Sequence, residues 1–192
     1  FMKKLVFAFA ASLLFLSCSK KEEIKNSVAE KEAEVNPLPI DSLKKYADET
    51  KKLLVTNLTQ KIADSGTVGA MAFCNIEALP LTKKMEEKYG VKIKRVTDKN
   101  RNPENEANET ERKYIEMYRQ QILKKEELKA TMHDGIFYAP LVTNAMCLQC
   151  HGETGKDIKP EVMAKISELY PNDKATGYKE NEIRGLLRIA KE

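Results

Sequence analysis

The strongest constraint on this chain is a five-residue run, Cys147-Leu148-Gln149-Cys150-His151. The spacing Cys-x-x-Cys-His is that of a c-type haem attachment site. It lets two thiols add to the two vinyl groups on one porphyrin edge, and the imidazole that follows then lies under the iron. We therefore predict one covalent haem c, anchored by Cys147 and Cys150, with His151 as an iron ligand.

The alternative for such a pair is a redox-active dithiol or half of a zinc site, with the histidine incidental. A zinc site would need two further ligands. The remaining supply is Cys18, Cys74 and His133 plus carboxylates, with no second Cys-x-x-Cys pair. Haem attachment therefore remains the favoured interpretation.

The first residues have the pattern of an export signal. Two lysines precede an apolar run over residues 5–16, and Ser17 and Cys18 follow it. The run is too short for a bilayer span of about 20 residues, so residues 1–17 are predicted to be a cleaved signal peptide. Ser17-Cys18 resembles a bacterial lipoprotein box, which predicts a lipid anchor on Cys18; plain secretion with a free thiol is the alternative. We expect a membrane-anchored lipoprotein outside the bacterial cytoplasm, periplasmic or outer-surface.

Residues 18–39 are rich in Lys and Glu and poor in large apolar side chains, which predicts a flexible tether. A single domain is expected over residues 40–192. The chain has 33 basic and 29 acidic residues. Removing residues 1–17 takes away two lysines and no acid, which leaves 31 against 29. This near-neutral balance argues against nucleic acid as a partner.

Periodicity predicts an α+β fold. Helical spacing occurs over residues 41–64, 68–79, a short stretch ending at 89, 109–127 and 160–169. Pro80 is expected to end the second helix and Gly90 the third. Alternating residues predict a strand over 91–97, and Asp134-Gly135 predicts the turn of a hairpin over 128–142. Residues 183–190 fit either a strand or a helix.

The sequence also resembles the Tll-like c-type haem domain family, long listed as a domain of unknown function. The resemblance lies in Gly69–Ala78, Arg101–Asn105, Tyr138–Pro140 leading into Cys147–Gly152, Tyr170–Tyr178, and Arg184-Gly185. It implies a PAS-like fold, in which helices surround a small antiparallel sheet. It also implies a six-coordinate haem iron held by His151 on one face and by Cys74 on the other.

Other candidate site residues have a plain structural alternative. On sequence alone, Cys74 could be a small buried apolar residue of a helix, and Met71, one turn away, could replace it as ligand or belong to the core. Arg95 and Arg101 could bind haem propionates, while Arg101 could instead belong to a structural loop. Tyr138 is expected to line or support the pocket.

A thiolate opposite imidazole favours ferric iron, and full coordination leaves no position for a substrate. We therefore expect electron transfer, or sensing of redox state or a diatomic gas, through an unidentified redox or signalling partner. The alternative is a small haem enzyme of peroxidase or reductase type, with an open iron site and His133 as its acid-base group. A cytochrome c shuttle with His and Met ligands is a third possibility.

Overall fold

The structure, a computed structural model, describes residues 38–191. Four α-helices surround a four-stranded antiparallel sheet, which confirms the α+β prediction. The helices are α1 (Ile40–Tyr89), α2 (Glu109–Leu123), α3 (Ala145–His151) and α4 (Pro160–Leu169). The strands are β1 (Val91–Val96), β2 (Thr131–His133), β3 (Ile136–Val142) and β4 (Ile183–Lys191). The predicted signal peptide and the lipidation site at Cys18 lie outside the described residues.

Helix α1 is bent sharply at Gly66, whose backbone angles are φ 66° and ψ 179°. Its first arm (residues 40–65) and second arm (residues 67–89) lie side by side near their far ends. There the rings of Tyr46 and Tyr89 stack with centroids 3.9 Å apart. Only glycine adopts such a backbone conformation without a steric penalty. The bend therefore turns one long helical sequence into two packed arms.

Pro80 does not end a helix as predicted. It lies inside the second arm, where Ala78 and Thr82 on either side are buried and the Thr82 hydroxyl donates to the Ala78 carbonyl at 2.9 Å. A proline removes one helical hydrogen bond, and tertiary packing outweighs that loss here. The predicted end at Gly90 is confirmed, because Gly90 adopts a left-handed conformation and donates to the Glu86 carbonyl at 2.9 Å.

The sheet has the strand order β1-β4-β3-β2, and each neighbouring pair is antiparallel. The hairpin prediction is confirmed, since Asp134 and Gly135 join β2 to β3 with positive φ angles of 46° and 72°. Residues 183–190 are strand, and β4 lies in the middle of the sheet between β1 and β3. The last strand therefore pairs with the first one along the whole length of β1.

The two faces of the sheet are covered by different helices. One face, which includes Ile93, packs against α1 in a core with Leu43 and Met85. The opposite face, which includes Leu186, packs against α2 through Ile115.

A third cluster joins α1 to α4 through Met71, Ile158, Val162 and Ile166, with Cys150 packed against it. None of the helices within residues 38–191 has the length and hydropathy of a membrane span.

Candidate functional site

The Cys-x-x-Cys-His run forms most of the short helix α3. The Asn144 side chain begins this helix by accepting from the Cys147 N–H at 3.2 Å. Gly152 ends it and donates its N–H to the Leu148 carbonyl at 2.9 Å. A Cβ atom at Gly152 would lie 2.5 Å from the Cβ of Asp157. The chain can therefore leave the helix here only with glycine, directly after His151.

The imidazole of His151 is fixed by one backbone contact. Its Nδ1 atom lies 2.7 Å from the carbonyl oxygen of Ala175. A carbonyl only accepts hydrogen bonds, so Nδ1 must carry the proton. Burial holds the pKa of His151 well below its usual value, and the positive charges of Arg184 and Arg101 add to this effect. The ring is therefore neutral, with the lone pair on Nε2, and Nε2 is the atom that can bind a metal.

The segment that supplies this carbonyl is fastened to the end of α3. The Tyr178 N–H donates to the His151 carbonyl at 2.9 Å, and the Gly177 N–H donates to the Gly152 carbonyl at 2.7 Å. The Tyr178 ring meets the imidazole edge-on, with centroids 6.2 Å apart and an interplanar angle of 82°. His151 is thus held through its backbone and its ring by one stretch of chain.

Arg101 and Asp173 form a bidentate ion pair beside the motif. Two guanidinium nitrogens each lie 3.0 Å from one carboxylate oxygen, and the side chains are 10% and 5% exposed. Arg101 also donates to the Cys150 carbonyl at 2.7 Å. The Asp173 carboxylate accepts from the Ala175 N–H at 3.0 Å. Arg101, predicted as a propionate ligand, therefore uses these donors within the protein.

Cys74 lies on the second arm of α1 and interacts electrostatically with Arg95 and Arg101. Burial raises the pKa of its thiol, and the two guanidinium groups oppose that rise. Burial also raises the pKa of Cys150 to about 11, an effect that Arg101 opposes and Cys74 reinforces. The fold therefore brings Cys74 into the same neighbourhood as the second motif cysteine, 76 positions later in the chain.

Two further arginines face this neighbourhood without a carboxylate. Among residues 38–191, neither Arg95 on β1 nor Arg184 on β4 forms an ion pair, and burial lowers the pKa of both. Arg184 donates to the Thr97 hydroxyl at 3.0 Å and to the Lys99 carbonyl at 3.1 Å. Its guanidinium lies over the Tyr178 ring, 5.3 Å from the centroid, and its buried Nε makes no hydrogen bond within the described residues. Both guanidinium groups also lower the pKa of His151, and the carboxylate that acts on Arg184, that of Asp173, is already paired with Arg101.

Three other candidate residues lie elsewhere or are already packed. Tyr138 lies on the α2 face of the sheet, where its ring stacks on Tyr114 at 4.8 Å, so it does not line this site. Met71 is buried in the α1–α4 cluster, with its sulfur 3.8 Å from Arg101 Nη1. His133 lies at the hairpin with 48% of its side chain exposed and pairs with Asp134 at 3.2 Å. In residues 38–191 no group of three or more His, Cys, Asp or Glu side chains is arranged to hold a metal ion.

A family model described as Tll0287-like: Tll0287 matches residues 20–191. The chain belongs to the Tll0287-like family. The family resemblance expected from the sequence motifs is thereby confirmed. No curated protein matches the sequence significantly.

One solved structure similar to this Tll0287-like chain is titled "Crystal structure of the cyanobacterial heme-protein Tll0287". The two structures superpose with a TM-score of 0.60 at 17% sequence identity, and the match covers 81% of this chain and 95% of the other. At this identity the likeness shows a shared fold. It agrees with the predicted helices around a small antiparallel sheet.

The structure adds site residues to this Tll0287-like chain that sequence reasoning left without a role. From the sequence, Arg184 belongs only to a matching Arg-Gly pair, and Asp173 only to the matching stretch Tyr170–Tyr178. The Ala175 contact is made by a backbone carbonyl, which no side-chain pattern can reveal. The one available signal was a basic residue inside an apolar strand, because a charge at such a position needs a partner.

Proposed function

We propose that the chain binds one haem c through thioether bonds to Cys147 and Cys150, with His151 and Cys74 as axial ligands of the iron. The observation that carries this proposal is the state of His151. A histidine that ligates a metal generally donates its other ring N–H to a carbonyl or carboxylate. His151 makes such a bond to Ala175, directly after the two cysteines of an attachment motif.

The charges of the site support the same cofactor. Arg95, Arg101 and Arg184 lie around this site. Among the described residues only Arg101 forms an ion pair with a carboxylate, that of Asp173, which also attracts Arg184. Haem carries two propionates, and guanidinium groups bind carboxylates strongly. Because Arg101 is paired with Asp173, Arg95 and Arg184 are the better propionate partners. The residues present therefore fit a dianionic haem.

Cys74 supports the second half of the ligand set. When haem is bound, its iron exchanges one electron between the ferric and ferrous states, and a thiolate ligand favours the ferric one. Burial raises the pKa of the Cys74 thiol, and the charges of Arg95 and Arg101 lessen that rise, so both arginines would favour a thiolate bound to the iron. Two protein ligands leave no position for a substrate. We propose electron transfer, or redox or gas sensing, as the role, with electron transfer slightly preferred.

The enzyme alternative draws no support from the fold. It needs an acid-base group beside an open iron position, and His133 was its candidate. His133 is exposed at the hairpin, and its ring lies 5.7 Å from that of Tyr114 on the α2 side of the sheet. His133 is not among the charged groups that act on His151 or Cys74.

Location and partners are part of the proposal. Covalent haem attachment takes place outside the bacterial cytoplasm, which agrees with the export pattern in residues 1–17. We propose that Cys18 carries the lipid anchor and that a separate redox or signalling protein exchanges electrons with the domain. Metabolic labelling with a radioactive fatty acid, compared between the natural chain and a Cys18→Ala variant, tests the anchor. Label that persists in the variant would contradict it.

The test of the iron ligands is a spectroscopic comparison of three haem-loaded proteins. The full chain is produced with a c-type haem maturation system, and covalent haem is established by mass and by the pyridine haemochrome spectrum. Cys74→Ala should lose the low-spin ferric EPR signal of a thiolate complex. Met71→Leu is the matched control, because Met71 is the other sulfur one helical turn away, and its spectrum should be that of the natural protein. An unchanged ferric spectrum in Cys74→Ala would refute the ligand assignment.

A further inference from the structure

A continuous line of hydrogen bonds runs from the buried ion pair to the ring of His151. Asp173 Oδ1 accepts both from Arg101 Nε and from the Ala175 N–H, each at 3.0 Å. The Ala175 carbonyl then accepts from His151 Nδ1 at 2.7 Å. One carboxylate oxygen is therefore separated from the imidazole by a single residue of backbone.

The geometry of that residue depends on its two ends. Ala175 is 0% exposed, so water does not replace either of its backbone contacts. Asp173 fixes the N–H side of Ala175, and the bond from the Gly177 N–H to the Gly152 carbonyl, 2.7 Å long, fixes the chain that follows. Because the chain is held on both sides of it, the Ala175 carbonyl is oriented toward His151.

We infer that Asp173 is a positioning residue, which aims the Ala175 carbonyl at His151 Nδ1 and thereby tunes the iron bound to Nε2. The inference rests on the proposed function, since it concerns the ligand named there. Arg101 connects Asp173 to the attachment motif. Its guanidinium binds the Asp173 carboxylate and also donates to the Cys150 carbonyl at 2.7 Å.

The expected effect follows from the chemistry of imidazole. A strong acceptor at Nδ1–H raises the electron-donating power of Nε2, which favours ferric iron, and loss of an outer contact of this kind changes metal binding by about 10- to 100-fold. Loosening the Ala175 carbonyl should therefore make reduction easier. A tenfold change in the reduction equilibrium is about 59 mV for a one-electron couple.

The experiment compares two substitutions at Asp173 that remove the same charge. Asp173→Ala removes both acceptor oxygens, whereas Asp173→Asn keeps an oxygen that can accept from the Ala175 N–H. Asp98→Ala is the control, because Asp98 forms a bidentate pair with Arg119 at 2.7 and 2.9 Å and has no contact with Ala175. The readouts are the midpoint potential, from spectroelectrochemical titration, and the low-temperature EPR spectrum of each haem-loaded protein.

Asp173→Ala should shift the equilibrium between ferric and ferrous iron at least tenfold toward the ferrous form, and it should shift the EPR g values. Asp173→Asn should give less than half of that shift in potential, and Asp98→Ala should leave the spectrum unchanged. Equal shifts in the two Asp173 variants would mean that charge alone acts, and no shift in either would mean that Asp173 has no influence; both results overturn the inference. Haem loss in Asp173→Ala with native spectra in Asp173→Asn supports it. Loss of the fold in both variants, seen by circular dichroism, would leave Asp173 a structural role only and overturns it.

Failure of the proposed function would be visible separately. A natural chain that emerges from the maturation system without covalent haem refutes the haem assignment. Selective nitrogen-15 labelling of histidine in the full chain without haem then still tests the positioning role. The proton of His151 should reside on Nδ1 in the natural protein and in Asp173→Asn. An unchanged tautomer in Asp173→Ala would count against Asp173.

Discussion

Replacement of Arg95 by methionine should change the stability of the apo and haem-loaded forms in opposite directions. Arg95 lies on β1 beside Cys74, and burial lowers the pKa of its guanidinium. In residues 38–191 it forms no ion pair, unlike Arg101 with Asp173. Methionine keeps most of the aliphatic length of arginine, so the substitution removes the charge without opening a large cavity.

The magnitude follows from the desolvation of an unpaired charge. Leaving a buried polar group without a partner costs about 1–3 kcal/mol, and more for a charge. Because Arg95 keeps some accessible surface, we take the lower part of this range and expect Arg95→Met to stabilise the apo form by about 1–2 kcal/mol. For a domain of this size that corresponds to a rise in Tm of roughly 2–8 °C. In the haem-loaded form the same change should also remove the proposed charge-assisted bond to a propionate, worth about 1.5–3 kcal/mol.

Urea denaturation of both forms, followed by circular dichroism, measures the two effects. Arg188→Met is the matched control, because Arg188 lies on β4 and its Nε atom is 3.4 Å from Glu111 on the opposite face of the sheet. Arg188→Met should change the free energy of unfolding of the apo and haem-loaded forms by the same amount. An apo form destabilised by Arg95→Met, or equal changes in the apo and haem-loaded forms of that variant, would refute the reasoning.

Two further predictions concern the end of the motif and a second ion pair. Gly152→Ala should destabilise the fold by about 1–3 kcal/mol through overpacking against Asp157, and its haem content after maturation should fall with it. Burial alone would raise the pKa of Asp98. The hydrogen bond from Arg119 and its positive charge outweigh burial, so the pKa lies below its usual value. The stabilisation of the fold by Asp98 is therefore fully present above the unfolded pKa of about 3.9, and it is lost as the pH falls through the lower pKa of the folded state. In chemical denaturation, the free energy of unfolding of the natural protein should exceed that of Asp98→Asn by roughly 1 kcal/mol at pH 7, and the difference should shrink as the pH falls below about 3.9.

Local signals in the sequence predicted the parts of the fold that depend on local backbone geometry. Gly90 ends a helix in the left-handed conformation, Asp134-Gly135 forms the tight turn, and α4 covers residues 160–169 as predicted. Each of these features depends on the conformational freedom or the restriction of one or two residues. They could therefore be read from the sequence without knowledge of distant contacts.

Features that depend on tertiary packing were predicted less well. Pro80 remains within α1 because the buried residues around it hold the second arm in place, which local propensity cannot indicate. The matching stretch Tyr138–Pro140, which leads into the motif, predicts that Tyr138 lines or supports the pocket. Side chains alternate along a strand, however, so its neighbours Phe137 and Ala139 face α1 while Tyr138 faces α2.

The candidate site shows the same division between local and distant information. The two motif cysteines and His151 lie within five residues, which is the spacing that the proposed covalent attachment requires. The groups that orient His151 need no fixed spacing from it in the sequence. The Ala175 carbonyl contacts the imidazole, and the Asp173 carboxylate contacts the Ala175 N–H, although both residues follow His151 by 22 or more positions. Arg184 arrives on β4, which the sheet order places between β1 and β3.

The central position of β4 explains how so much positive charge can collect at one end of a small sheet. Arg95 and Arg184 come from adjacent strands, and Gly185 allows those strands to approach closely, since a Cβ atom there would overlap the Val96 carbonyl oxygen. The Thr97 hydroxyl donates to the Arg184 carbonyl at 2.8 Å, which fixes the strand at this point. Two guanidinium groups without carboxylate partners are unfavourable in a folded chain that binds no anion. Their placement agrees with the proposed binding of a ligand that carries two carboxylates.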